Sequence, residues 1–444
     1  YHTVHSTSGS CGTNCYAGYD PNLLDAALDS VTLNDNTTSG PAARDMNIKV
    51  KSKSIVTITN LQVQYRINND PVQTLSFNGN LQRGDSVVFA VAGYNFNRSY
   101  NRIRVWISSV NGNVDDYPQN DTIITSQIIC SSPLAGVYST GCDTCYFDRI
   151  QASALTLKNC GVSGPVKIAI ESGIYYDQVV VDSIPFASAT DSIVWTSASG
   201  NPEDVELFMK TDYSYYRNPF YFNRTHYCSV SNLTLRNTSP RTYDAMQADG
   251  PAQAVIVLNT TDHIRVLNNR SYGAPKDGVI SSNATIIHGG LISEDGIFDG
   301  NYFEGGETAL LMGTSVAASV GIRITNNVMH QSSGLQLYNL DDVIIHNNKI
   351  NSTGSSYYAS IICLECDTLQ ITNNQVGSEN WADRTLDLSC DCPPANPCLV
   401  ANNSFGSAPL WLPFAGVRIT ATNANIIHNS FGHGLEFGGI QNVN

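Results

Sequence analysis

Residues Ile322-Arg323-Ile324-Thr325-Asn326-Asn327-Val328-Met329 alternate apolar and polar side chains, pass two asparagines, and resume on an apolar residue. The same frame returns at Val343-Ile344-Ile345-His346-Asn347-Asn348-Lys349-Ile350 and at Leu369-Gln370-Ile371-Thr372-Asn373-Asn374-Gln375-Val376. It appears last at Asn425-Ile426-Ile427-His428-Asn429-Ser430-Phe431. Counting outward in this frame collects Asn237, Asn269, Asn301, Asn327, Asn348, Asn374, Asn403 and Asn429, with steps of 32, 32, 26, 21, 26, 29 and 26 residues. A period of about 20–50 residues carrying one short strand and one fixed residue marks a solenoid. Asparagine tolerates a left-handed bend, and its amide both donates and accepts hydrogen bonds. Stacked coil upon coil, these side chains are expected to form an asparagine ladder along a parallel β-helix.

Composition agrees with an all-β exported chain. Charged residues make up only 14%, and 34 glycines punctuate short apolar strands. A formal charge of −14 with no basic stripe argues against nucleic acid as a partner. Apolar runs are short, Ala254 to Leu258 being typical, so no membrane span is expected. The chain begins at Tyr1 with neither initiator Met nor signal peptide, as expected of a processed or excised product. Secretion to an extracellular or cell-surface location follows. The twelve cysteines fit an oxidising space. Cys11, Cys15, Cys142, Cys145, Cys363, Cys366, Cys390, Cys392 and Cys398 fall in clusters that nominate them for disulfides. Cys130, Cys160 and Cys228 stand apart.

Three segments follow from the pattern. Residues 1–21 are Ser/Gly/Tyr-rich and read as an arm or linker. Residues 22–129 alternate at sandwich spacing, with Leu61, Val63, Tyr65 and Ile67, then Val87, Phe89 and Val91, then Ile103, Val105 and Ile107. Residues 133–444 read as the β-helix. A short amphipathic helix should cap its start, with Phe147, Ile150, Ala154 and Leu157 on one face, Asp143 or Thr144 as N-cap, and Gly161 as the stop.

Two resemblances accompany this reading. Leu61-Gln62-Val63-Gln64-Tyr65-Arg66-Ile67-Asn68, Gly79-Asn80-Leu81-Gln82-Arg83-Gly84-Asp85-Ser86, Val105-Trp106 and Asn120-Asp121-Thr122 resemble the immunoglobulin-like, adhesion-type modules of large secreted surface proteins of Bacteroidota-type bacteria. Gly161-Val162-Ser163-Gly164-Pro165-Val166 and Gly173-Ile174-Tyr175-Tyr176-Asp177-Gln178 resemble the start of secreted right-handed β-helix proteins. Together they imply an immunoglobulin-like β-sandwich followed by a right-handed parallel β-helix. The bacterial resemblance also implies O-glycosylation at the Asp-Ser/Thr-aliphatic triplets of Ser30, Ser86, Thr122, Ser183, Ser192 and Thr368. N-x-S/T sequons between Asn36 and Asn402 occur near chance frequency and add little.

Catalytic motifs are at most partial. The Gly-x-Tyr start is shared with pectin methylesterases, whose later Asp, Gln and Arg motifs are absent. Polygalacturonases pair aspartates with a Gly-His-Gly turn, and this chain has Asp341-Asp342 and Gly432-His433-Gly434. Three coil steps of about 4.8 Å separate them, beyond the reach of a paired acid and base. No catalytic residue is assigned and no cofactor expected, with Glu294, Asp295 and Asp299 the one weak candidate for calcium. His346 and His428 read as surface or turn residues. Tyr213, Tyr215, Tyr216 and Tyr221 are candidates for stacking on sugar rings, with packing inside a strand the alternative. A coil that stops without a cap at the C-terminus suggests the chain itself as a partner, joined head to tail into a filament. The first expectation is therefore a non-enzymatic structural or adhesive protein with attached or bound glycans. Convergent carboxylates on adjacent coils would favour a polysaccharide-active enzyme, and a long aromatic face a carbohydrate-binding region.

Overall fold

The computed structural model describes residues 22–35, 43–209, 218–237, 254–273, 285–290, 292–306, 308–313, 319–330, 334–352, 360–378, 385–406, 416–432 and 435–443. The expected arm over residues 1–21 lies outside them. The chain divides into two compact units, Tyr1–Ser131 and Ser132–Asn444.

The first unit is a β-sandwich of two antiparallel sheets. One holds Ala26–Asp35, Ala43–Ser52 and Ser86–Asn95, and the other Gln73–Leu81, Ile58–Ile67, Tyr100–Val110 and Thr122–Ile128. Period-two alternation buries Leu61, Val63, Tyr65 and Ile67 from one sheet against Met46, Ile48, Val50 and Phe89 from the other. Val87 and Val91 are only partly buried against that core.

The second unit is a parallel β-helix in which each full coil contributes three strands, as in Leu335–Tyr338, Leu340–His346 and Lys349–Ser352. Strands of successive coils pair in register, so one inward position becomes a column of side chains. The second-strand column runs Ile168, Trp195, Val230, Val266, Phe298, Ile324, Ile345, Ile371, Val400 and Ile426. The third-strand column ends with Phe405 and Phe431, stacked at 5.6 Å. Removing such columns from water is what stabilises the stack, at about 25 cal/mol per Å² of apolar surface.

A helix over Ile150–Cys160 packs against the start of the stack and buries Ile150, Ala154 and Leu157. Its Ser153 hydroxyl accepts the indole N–H of the fully buried Trp195 at 3.0 Å. Gly161, at φ +69°, ends the helix and donates its N–H to the Leu157 carbonyl. The expected N-caps are corrected. The N-cap position is Arg149, which makes no side-chain cap bond, so Asp143, Thr144 and Phe147 all precede the helix.

The asparagines line up at the bend between second and third strands. Asn269, Asn301, Asn327, Asn348, Asn374, Asn403 and Asn429 are joined by side-chain amide bonds of 2.9–3.3 Å, each Nδ2 donating to the next Oδ1. Each Oδ1 also accepts the backbone N–H of the asparagine one coil below, and each Nδ2 also donates to a backbone carbonyl such as Ile324 O. The amides are thus fully used, which burial demands. Two details differ from expectation. Asn237 lies outside the ladder: it ends the third strand Thr234–Asn237, and Leu233 occupies the position whose N–H donates to Asn269. The left-handed residue is the one before each ladder asparagine, namely Asn268, Gly300, Asn326, Asn347, Asn373, Asn402 and His428. The first asparagine of each pair turns the chain and the buried second forms the ladder, while exposed first members such as Asn347 and Asn326 add an outer bond between coils at 2.7 Å.

Candidate functional site

The third strands face outward with side chains that also stack in register. Phe208, Arg236, Tyr272 and Glu304 occupy one row on successive coils. Tyr176, 74% exposed, sits one coil below Phe208 and meets its ring edge-on at 5.6 Å. The Arg236 guanidinium lies 4.2 Å from the Tyr272 ring centre and donates to Glu206 at 2.7 Å. Tyr272 in turn lies 6.1 Å from Tyr302. Tyr302 donates to Glu304 at 2.8 Å, and its phenol is pushed up to about 12 by burial and by that carboxylate. The face thus carries rings at roughly one coil per step, interleaved with charged hydrogen-bonding groups. Ring faces of this kind accept the C–H faces of sugars while the charged groups bond hydroxyls.

A second feature lies at the bend between first and second strands. A cavity of about 420 Å³ is lined by Asn339, Glu365, Asp367, Ser389, Cys390, Asp391, Thr420, Ala421 and Thr422. Asp341 pairs in register with Asp367 on the next coil. The Asp367 carboxyl is raised by burial and by the charges of Asp341 and Asp391, although the Asp391 N–H stabilises its ionised form. Sequence spacing alone brings Asp341 no partner, because the coil register that supplies Asp367 is not visible in it. Of the Gly-His-Gly turn, residues 433–434 lie outside the described residues.

The remaining candidates disperse. Tyr213, Tyr215 and Tyr216 lie outside the described residues. Tyr221 faces outward in Phe220–Asn223, while Phe220 and Phe222 point inward and stack at 5.6 Å. Glu294 is exposed, Asp295 occupies a left-handed turn, and Asp299 accepts hydrogen bonds from Thr325 and from Asn326 at 2.7 Å. His346 lies at a strand end beside Thr372 at 2.8 Å, and His428 sits in a left-handed bend. Ser86, Thr122, Ser183 and Ser192 are exposed, and Ser30 and Thr368 half-buried.

Cysteine pairing differs in part from expectation. Cys142–Cys145 and Cys392–Cys398 are disulfides, and Cys130 and Cys160, which stand apart in sequence, are also disulfide-bonded. Cys363, Cys366 and Cys390 are instead buried free thiols, as is Cys228. Cys363 explains itself: it points inward in register between Leu337 and Leu388, a small apolar filler in a core column. Cys366 weakly donates to the carbonyls of Leu364 and Leu337. Cys390 is pushed up to about 12 by burial and then by the Cys366 charge. Its sulfur lies within 4.8 Å of those of Cys392 and Cys398. Cys11 and Cys15 lie outside the described residues.

Comparison with solved structures finds tailspike protein 3 of bacteriophage CBA120 at 9% identity and a TM-score of 0.35, matching 71% of this chain and 57% of that one. Pectin methylesterase PemA of Erwinia chrysanthemi matches at 12% identity and a TM-score of 0.27, over 68% of this chain and 82% of the esterase. The Gp54 tailspike of Acinetobacter baumannii bacteriophage AP22, solved in complex with capsular saccharide, matches at 9% identity and a TM-score of 0.27, over 94% and 57%. The chain thus spans little more than half the length of either tailspike. No curated protein sequence matches it. The description of the right-handed β-helix region family matches residues 254–432, the coils that carry all of the asparagine ladder, and the fold is a β-sandwich followed by that right-handed parallel β-helix.

Proposed function

We propose that this chain is an extracellular, polysaccharide-binding β-helix protein whose binding face is the aromatic row of the third strands. The observation that carries the proposal is the register of Tyr176, Phe208, Arg236 and Tyr272 along successive coils, with Tyr302 in the adjacent row one coil further on. Coils rise by about 4.8 Å, close to the length of one sugar unit, so a glycan lying along the stack meets a new ring or charged group at each step. The disulfides support an oxidising compartment, and no helix among the described residues is long and apolar enough to cross a membrane. Titration of the full chain with soluble neutral, amino and acidic polysaccharides tests the proposal. Binding that weakens in Tyr272→Ala supports it. No binding to any class, or binding indifferent to Phe208→Ala and Tyr272→Ala together, refutes it.

A second function is favoured by the carboxylates at the 420 Å³ cavity. Asp367 can serve as general acid to a glycosidic oxygen while Glu365 or Asp391 activates water, the division of labour of a glycoside hydrolase. Cleavage products lost in Asp367→Asn would support this; intact polymer after prolonged incubation with wild type would remove it.

A further inference from the structure

Three sulfurs meet where the first strand of one coil bends into the second. Cys390 lies in Leu386–Asp391, Cys392 follows that strand, and Cys398 opens Cys398–Ala401. Their Sγ atoms all lie within 4.8 Å of one another. Two are joined as the Cys392–Cys398 bridge, and the third is a buried free thiol. Strand alternation produces the arrangement: Cys390 and Cys392 are buried while Asp391 between them is exposed, so both sulfurs lie on one side. The bridge closes a largely exposed loop, Pro393-Pro394-Ala395-Asn396-Pro397, in which the Asn396 N–H donates to the Pro393 carbonyl at 2.9 Å. Cys390 and Asp391, just ahead of that loop, line the cavity of about 420 Å³.

A thiol beside a disulfide can displace one of its sulfurs without any oxidant, since one bridge and one thiol stand on each side of the exchange. Geometry selects the sulfur attacked. Bridging Cys390 to Cys392 would join residues two apart on an extended strand, about 6.6 Å between Cα atoms and at the far limit for a disulfide. Cys398 lies across the bend, its Cα 5.6 Å from that of Cys392, and is the better target.

We propose that the bridge moves from Cys392–Cys398 to Cys390–Cys398 by internal exchange, re-tying the loop at the rim of the cavity. Cys390 gives its proton to solvent and its Sγ attacks Cys398 Sγ. The new S–S bond forms as the old one breaks, and Cys392 leaves as a thiolate and takes up a proton. The surroundings of Cys390 set when this happens. Burial, then Cys366 and Asp367 from the coil below and Asp391 beside it, all oppose a thiolate, and the thiol is pushed up to about 12. Ala421, in register on the next coil, carries no charge to offset them. At neutral pH the bridge therefore rests on Cys392–Cys398, and exchange quickens about tenfold per pH unit as the thiolate fraction rises. The inference needs neither polysaccharide binding nor hydrolysis.

The test incubates the full chain with a small alkylating reagent at rising pH, without reductant, followed by acid quenching, digestion and mass mapping. Labelled Cys392 together with a Cys390–Cys398 bridge is expected, at a rate independent of protein concentration. That rate should be about a hundredfold higher at about pH 10 than at about pH 8. Cys390→Ser should leave Cys392 unlabelled. Cys392→Ser, oxidised with glutathione disulfide, should close Cys390–Cys398 outright. Labelled Cys390 beside an intact Cys392–Cys398 bridge at every pH overturns the proposal. So does Cys392 labelling that scales with protein concentration, or a Cys392→Ser chain whose Cys390 and Cys398 both stay free.

Discussion

The Asn327 side chain donates to Asn348 Oδ1 at 3.0 Å, and the Asn327 backbone N–H donates to the same oxygen at 3.0 Å. Asn348 thereby closes two bonds from the coil below, while its own Nδ2 reaches Ile324 O, His346 O and Asn374 Oδ1. It is 2% exposed. Asn348→Ala strands donors and acceptors on two neighbouring coils, at about 1–3 kcal/mol for each buried group left unsatisfied. The expected loss is about 3 kcal/mol or more, read as a lower urea midpoint. Asn347→Gly, at the adjacent left-handed exposed position, should cost a fraction of that. Asn347 does donate to Asn326 at 2.7 Å, but that bond is exposed, so equal losses at the two positions would refute the greater weight of the buried ladder.

Two glycines separate backbone strain from collision. Gly200 has φ +79° and open space where an added Cβ would stand, so Gly200→Ala should cost about 1 kcal/mol of left-handed strain. At Gly334, φ is +89° and a Cβ would lie 1.8 Å from the Ser360 carbonyl oxygen of the next coil. Gly334→Ala must push two coils apart and should cost about 3 kcal/mol. Thermal melts of the two variants check the ordering.

The ladder is legible in sequence because its frame is local: an alternating strand, two asparagines, an apolar residue. Asn237 is misplaced when the count is extended by spacing, which overrides that frame. The local pattern Val230-Ser231-Asn232-Leu233 puts the left-handed residue at Asn232 and the ladder position at Leu233. The aromatic row escapes sequence reading for the opposite reason. Phe208, Arg236 and Tyr272 lie about thirty residues apart, and only strand register makes them neighbours.

Free thiols should follow burial. Alkylation of native protein should leave Cys228, Cys363 and Cys366 unlabelled, since their sulfurs are buried, and alkylation in denaturant without reductant should label these three and Cys390. Mass mapping should then return Cys142–Cys145 and Cys392–Cys398 as intact bridges. Cys363 joined to Cys366 in the purified protein would contradict the free-thiol assignment.

The binding face predicts a graded mutational pattern. Phe208→Ala and Tyr272→Ala should each weaken polysaccharide binding by about 1 kcal/mol, the scale of one aromatic contact. Arg236→Ala should weaken it as well, through the lost charge and through the unsupported Tyr272 ring. Tyr221→Ala, on a different strand row, should leave affinity unchanged. A loss at Tyr221 equal to that at Tyr272 would move the binding face to the first strands.

The sandwich should lose stability as pH rises. Burial, and then the charges of Asp115 and Asp25, raise the Asp121 carboxyl to about 7, against an unfolded value of about 3.9. Between these values the folded state holds a proton that the unfolded chain has released. This contribution to stability is therefore complete below about pH 4, declines through about pH 7, and is absent above. Asp121→Asn removes the decline and should make the sandwich more stable than wild type at pH 8, as seen by hydrogen exchange of Thr122–Ile128. A variant with the same pH profile as wild type would place the buried charge elsewhere.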